Sequence, residues 1–181
     1  MIGLFIGRFQ PFHKGHLHCL RYISKKCSKI IIMIGSSNIS NTFENPLTLK
    51  ERIVLIKKVI QQEKNLSEVY ITQVPDVHDN ELWVDLVLEE VKNSQLKKFD
   101  ILFTSNTLVK ELFEKKGFKV KRIPFYKRES LQGMIIRKEA VLIDNKWRNS
   151  VPKYLLPILF QMKFEERLLD LAKTNEKEKV N

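Results

Sequence analysis

Apolar residues along this chain fall into two alternating rhythms. Short runs of strand length lie at residues 2–6 (IGLFI), 29–34 (KIIIMI), 69–74 (VYITQV), 99–104 (FDILFT) and 118–123 (FKVKRI). Between them, residues 16–27, 48–64, 80–94 and 107–116 carry apolar side chains three or four apart, and Leu49, Ile53, Ile56 and Ile60 would line one helical face. The ends of these segments carry their own signals. Thr48 followed by Glu51 has the form of a capping box, and Gly117 stands where a helix ending near 116 needs a C-cap. After residue 124 the pattern predicts helices only, around 134–142 and 152–173, and the final KTNEKEKVN reads as a solvated tail.

Strand and helix alternating five times predict a parallel sheet whose crossovers are right-handed and place helices on both faces. The expected architecture is a Rossmann-like, doubly wound α/β fold with a five-stranded parallel sheet and a helical C-terminal segment. The unbroken apolar run at 30–34 suits a central strand buried on both sides. No internal repeat or Pro/Gly-rich linker divides the chain, so one domain is expected over 1–173, its C-terminal helical segment at 134–173, followed by a polar tail at 174–181. In such sheets ligands bind beyond the carboxyl ends of the strands, near a topological switch point.

Composition narrows the class. Of 181 residues, 43% are apolar and 29% charged, as in ordinary soluble globular proteins. No apolar run approaches the length that crosses a bilayer, so no membrane partner is expected. Gly3, Gly7 and Arg8 stand where a secretory leader would carry its basic and apolar regions, which makes the cytoplasm the default location. Thirty-two basic residues against 21 acidic ones give a net charge of +11, which suits phosphate-rich partners. The lysines are scattered, with no basic block interleaved with aromatics, so a nucleic-acid partner is not expected. Cys19 and Cys27 fit no zinc spacing and are expected to stay reduced.

The chemistry concentrates at GLFIGRFQPFHKGHLHCLRYI, residues 3–23, which holds three of the four histidines: His13, His16 and His18. With the first strand at 2–6, a loop leads into a helix beginning near Gly15 or His16. The first N–H groups of that helix lack intrahelical partners and carry the positive end of its dipole, an arrangement that binds anions. His13 and His16, three apart, share a face if the junction is helical. Gly15 between them removes a side chain that would hold a ring or a phosphate away, and Arg8 adds a permanent forked cation. No Ser or Cys stands by as a nucleophile, and two histidines three apart lack a third zinc ligand. The cluster therefore reads as a binder of a phosphate under attack, while His18, on another face, is assigned to structure.

GRFQPFHKGH resembles the signature of the nucleotidylyltransferase superfamily, whose members carry His/Thr-x-Gly-His after the first strand. More narrowly, the chain is similar to the archaeal-type nicotinamide mononucleotide (NMN) adenylyltransferases from residue 1 to about 152. GSSNISNTFENPLTLKER (35–52), DVHDNELWV (76–84) and FDILFTSNTLVKELFEKKGFKV (99–120) carry that similarity in order. The resemblance implies that His13 and His16 contact the ATP phosphates and stabilise charge building on the α-phosphorus. It puts Gly15 under the adenine, Arg8 on a phosphate, Trp83 on the nicotinamide ring, Asp76 and Asn80 near NMN, and Asn106 on the adenine side. Gly7, Phe9, Gln10 and Ser36 join the nucleotide-binding set.

The family's late phosphate segment, Ser-Gly-Thr/Ser-x-x-Arg, appears here as QGMIIR (132–137). Gly133 and Arg137 match, and Arg137 is expected to be catalytic, but Gln132 and Met134 replace the hydroxyl residues. A hydroxyl bound to a charged phosphate contributes about 1.5–3 kcal/mol, so weaker turnover is expected, with Ser130 as a candidate substitute. The implied reaction is ATP + NMN → NAD + diphosphate, with Mg²⁺ carried by the ATP phosphates and no protein metal site. The partners are then ATP and NMN, in a homo-oligomer. Leu155, Leu156, Ile158, Leu159 and Phe160 either form its interface or cover the sheet. Another phosphate acceptor (pantetheine phosphate, flavin mononucleotide or glycerol phosphate) and a catalytically weak nucleotide-binding regulator remain open alternatives.

Overall fold

Five strands make one parallel sheet: β1 (Ile2–Gly7), β2 (Lys29–Ile34), β3 (Glu68–Gln73), β4 (Ile101–Thr104) and β5 (Val120–Arg122). Their spatial order is β3-β2-β1-β4-β5, so the chain winds outward from β1 in one direction and then, from β4, in the other. The reversal at the β1/β4 pair is a topological switch point. The computed structural model describes residues 1–124, 126–127, 129–142 and 145–178. Its helices are α1 (Lys14–Ser24), α2 (Leu49–Gln62), α3 (Asn80–Asn93), α4 (Thr107–Lys115), α5 (Gly133–Ala140), α6 (Leu156–Gln161) and α7 (Phe164–Glu178), with 3₁₀ turns at Lys146–Ser150 and Lys153–Leu155.

The chain forms two compact units. The first comprises residues 1–8, 18–38 and 63–125, and so contains the sheet. Successive strand residues point to opposite faces. On one face Leu4, Ile31, Met33 and Leu102 form a fully buried core with Val84, Val87 and Val91 of α3 and Phe113 of α4. On the other, the Phe103 ring meets Tyr22 of α1 edge-on at 6.3 Å. Helices thus cover both faces, as the alternation of strand and helix predicts. Ile30 to Ile34 are all inaccessible to solvent, which is why β2 tolerates an unbroken apolar run. Gly117 adopts φ +82 just past α4, and the Phe118 N–H closes on the Phe113 carbonyl at 3.0 Å, the expected glycine-terminated helix end.

The second unit comprises residues 9–17, 39–62 and 126–181. Here the capping box forms: the Thr48 N–H donates to Glu51 Oε2 at 2.8 Å and the Glu51 N–H to Thr48 Oγ1 at 3.3 Å. The same carboxylate takes two bonds from Arg167 of α7, at 2.8 and 2.7 Å, while Arg167 also donates to the Pro46 carbonyl at 2.9 Å. The α2 stripe is rotated from expectation: Arg52, Leu55, Ile56 and Val59 are buried, whereas Ile53 and Ile60 are only half-buried. The 152–173 segment is not one helix. Lys163 takes φ +52 between α6 and α7 and turns the chain there. α7 then continues to Glu178, into the stretch expected to be a tail, and residues 179–181 lie outside the described residues.

Burial pushes the Glu51 carboxyl up, but its bonds from Arg167 and Thr48 outweigh this and leave it below its ordinary value of 4.5. A carboxylate lowered in the folded state contributes stability above its unfolded value and loses it as pH falls. Arg167→Leu is expected to cost about 1–3 kcal/mol at neutral pH, because it leaves a half-buried carboxylate without its partner. Thermal melts should show the gap between wild type and variant closing below about pH 4.5. A gap independent of pH would show that the ion pair is not its cause.

Candidate active site

In the second unit, the loop after Arg8 folds the two motif histidines onto each other. Their rings stack with centroids 3.7 Å apart at 27°. Each ring is fixed by a backbone amide. The His13 N–H donates to His16 Nδ1 at 3.3 Å, and the Gly15 N–H donates to His13 Nδ1 at 3.1 Å. A backbone N–H can only donate, so both Nδ1 atoms are lone-pair acceptors and both protons sit on Nε2. Protonating either ring would place a second hydrogen where the amide already points.

Charge and packing act in the same direction. Burial, then the Arg137 guanidinium, hold His13 down at about 3. Burial, then His13, hold His16 well below its ordinary 6.5. Phe9 and Phe12 wall His16, with ring centroids 4.7 and 5.4 Å away. The pair is thus two neutral imidazoles, each with a donor at Nε2.

Gly15 is required by this fold-back. A Cβ there would sit 2.8 Å from His13 Cε1 and 2.9 Å from His13 Nδ1. The space that its missing side chain opens is therefore filled by the His13 ring. Arg137, on α5, is 3% exposed and donates through Nη1 to the Gln10 carbonyl at 2.8 Å. A Cβ on Gly133 would fall 3.0 Å from that Nη1 and 3.2 Å from the Gln10 oxygen, so Gly133 lets α5 approach the loop closely. The Gln10 side chain is buried and acts as a strut. Its Nε2 donates to the Leu47 carbonyl and its Oε1 accepts from the Leu47 N–H, each at 2.9 Å. The Phe9 ring, 1% exposed, likewise packs inward and supports His16. Gln132 gives α5 no side-chain cap bond, Met134 is exposed, and the Ser130 hydroxyl donates to the Lys127 carbonyl at 3.3 Å.

The sheet unit holds a cavity of about 440 Å³ at the carboxyl ends of its strands. Gly7 ends β1 and Arg8 follows it, Ser36 follows β2, Asp76 follows β3, Thr104 ends β4 and Asn106 lies just beyond it, with Trp83 of α3 on the wall. This is where an open α/β sheet takes its ligand. Asn106 caps α4, its Oδ1 accepting from the Val109 N–H at 3.4 Å, which leaves its amide NH₂ as the remaining donor group. Trp83 is half-buried and meets Phe113 edge-on at 6.4 Å. Asn80 is exposed at the start of α3 and is not among the lining residues.

The sequence profile of the Cytidylyltransferase-like family matches residues 4–150. This chain belongs to that family. Similar curated proteins include the nicotinamide-nucleotide adenylyltransferase of Pyrococcus abyssi, 35% identical over 94% of this chain and 88% of that protein. That of Saccharolobus solfataricus is 34% identical over 96% of this chain and 98% of that one. Among solved structures, a bifunctional NMN adenylyltransferase/ADP ribose pyrophosphatase from Francisella tularensis superposes with a TM-score of 0.77 at 24% identity. The match covers 97% of this chain and 53% of that one, so this chain spans about half its length. That likeness is one of fold.

As a cytidylyltransferase-like protein, the chain gathers six of its expected site residues (Gly7, Arg8, Ser36, Asp76, Trp83 and Asn106) around the sheet cavity. His13, Gly15, His16, Gly133 and Arg137 come together in the other unit. Asn38 and Leu47 carry no local signal in the sequence, because each acts through hydrogen bonds to residues distant in sequence. Among the described residues, no helix is long and apolar enough to cross a membrane. Gly15→Ala is expected to displace the His13 ring and lower turnover by about tenfold or more while the melting temperature holds, since removing one transition-state donor costs about 10²–10³-fold. Unchanged turnover in a nucleotidyl-transfer assay would show that the ring position does not matter.

Proposed function

We propose that this chain transfers the adenylyl group of ATP to NMN, giving NAD and diphosphate. The observation that carries the reading is the pair of neutral, amide-locked imidazoles, His13 and His16, in a chain 35% identical over nearly its whole length to nicotinamide-nucleotide adenylyltransferases. In the reaction an oxygen of the NMN 5′-phosphate bonds to the α-phosphorus of ATP. The bond from that phosphorus to the β-bridging oxygen breaks, and diphosphate leaves with its electrons. The attacking phosphate is ionised near neutral pH, so no general base is required. Catalysis then consists of positioning and of stabilising charge on the phosphoryl oxygens.

Donors fixed before the reaction serve that purpose better than groups that must first gain a proton. His13 and His16 would present Nε2–H to phosphate oxygens, and Arg8 and Arg137 would supply permanent positive charge. Asp76 and Trp83 belong to the NMN half of the reading, with Trp83 stacking on the pyridinium ring, and Asn106 to the adenine half. Mg²⁺ enters as part of the substrate, bound to the triphosphate. The same reading places the protein in the cytoplasm as a homo-oligomer, with nucleotides and not nucleic acid as partners. Its support is the scattered pattern of lysines and the resemblance described above.

Incubation with MgATP and NMN, followed by assays for NAD and diphosphate, tests this directly. Wild type is expected to form both, and His16→Ala to lower kcat by about 10²–10³-fold. Activity with another phosphate acceptor and none with NMN would overturn the acceptor. Equal rates for the two proteins would overturn the role of the histidine.

A further inference from the structure

Asp76 is held from three sides by residues that follow β2. The Asn38 side chain pairs with both backbone groups of Asp76: its Oδ1 accepts from the Asp76 N–H at 2.9 Å, and its Nδ2 donates to the Asp76 carbonyl at 3.2 Å. Ser36 Oγ donates to Asp76 Oδ2 at 2.6 Å. Two further bonds fix the frame from which these side chains reach. The Ser37 N–H donates to the Val74 carbonyl and the Gly35 N–H to the Gly7 carbonyl, each at 3.0 Å. Ser36 itself takes φ +50, a conformation uncommon for a residue with a side chain, which turns the chain between Gly35 and Ser37.

The Asp76 carboxylate lines the sheet cavity with Arg8, Ser36 and Trp83. Its Oδ2 is taken by Ser36, whereas its Oδ1 accepts no hydrogen bond among the described residues. A carboxylate on a loop would ordinarily swing between rotamers and lose binding free energy each time it was ordered by a ligand. With backbone and one oxygen already fixed, Asp76 offers its second oxygen in one place.

We propose that Asn38 is a positioning residue for the acceptor nucleotide. Together with Ser36 it fixes Asp76, so that Oδ1 stands in the cavity to accept from a hydroxyl or amide N–H of NMN. Asn38 acts only through Asp76. The inference rests on the NMN reading above and adds a residue that neither the motif nor the cavity lining identifies. It also gives the site a chemical preference, since a fixed anionic acceptor favours donor groups and disfavours a carboxylate at the same spot.

The test is a double-mutant cycle on the full chain, with steady-state KM for NMN and for ATP, NMN affinity by calorimetry, and melting temperature. Asn38→Ala removes two hydrogen bonds, and KM for NMN is expected to rise about tenfold. Under the same change kcat, KM for ATP and melting temperature should stay close to wild type. Asp76→Ala should raise KM for NMN at least as much, and the double variant should match Asp76→Ala alone. Asn38→Ser keeps an acceptor for the Asp76 N–H, so it should fall between wild type and Asn38→Ala. It also carries the cycle if the alanine variant does not fold. Additive effects of the two substitutions, an unchanged KM for NMN, or an equal rise in both KM values with a lower melting temperature would each overturn the proposal. A wild type that neither binds nor adenylylates NMN would overturn the underlying functional reading, and that is seen before any variant is made.

Discussion

Two backbone amides decide what the histidine motif can do. Because the His13 and Gly15 N–H groups point at the Nδ1 atoms of His16 and His13, the two rings keep their protons on Nε2 and stay neutral. Everything around the pair serves that arrangement. Gly15 leaves room for the His13 ring, Phe9 and Phe12 wall His16, and Arg137 adds a positive charge that opposes protonation of His13. Fixed positive charge beside the pair comes from Arg137, and the neutral imidazoles carry N–H donors at Nε2. Such a division keeps the donors unchanged through the pH range where a free histidine would titrate.

The loop that carries the pair is braced from its own unit. Arg137 holds the Gln10 carbonyl, the Gln10 amide pairs with the Leu47 backbone, and Arg167 ties Pro46 and the Glu51 cap to α7. Each link is a charged or amide side chain bonded to backbone or carboxylate, the usual partners of polar groups inside a protein. In the sheet unit, the reversal of strand order between β1 and β4 opens the cavity, and the residues after β2 stiffen the acidic residue after β3. Fold and chemistry meet at strand ends in one unit and at a helix start in the other.

Local signals in the sequence account for much of this. The apolar rhythm locates all five strands within a few residues, and the Thr48–Glu51 box and Gly117 cap form as their residue types dictate. What escapes a linear reading is set by distant contacts. The 152–173 segment breaks at Lys163, whose positive φ no residue type there announces, and α2 turns Arg52 inward, where Thr48 accepts from its Nε at 3.4 Å. Gln10 reads as a polar group next to a phosphate motif until Leu47, 37 positions away, is seen to satisfy both ends of its amide. Asn38 is an unremarked loop residue until β2 and β3 lie side by side.

Long-range ¹⁵N–¹H correlation spectra of the imidazole nitrogens test the central claim most directly, followed from about pH 7.5 to about pH 5.5, across the range where an ordinary histidine titrates. The expected result is two histidines, His13 and His16, that keep the neutral Nε2–H pattern throughout the range, with both signals lost as a pair in Gly15→Ala. Imidazolium shifts, or a proton on Nδ1 of either ring, would contradict it.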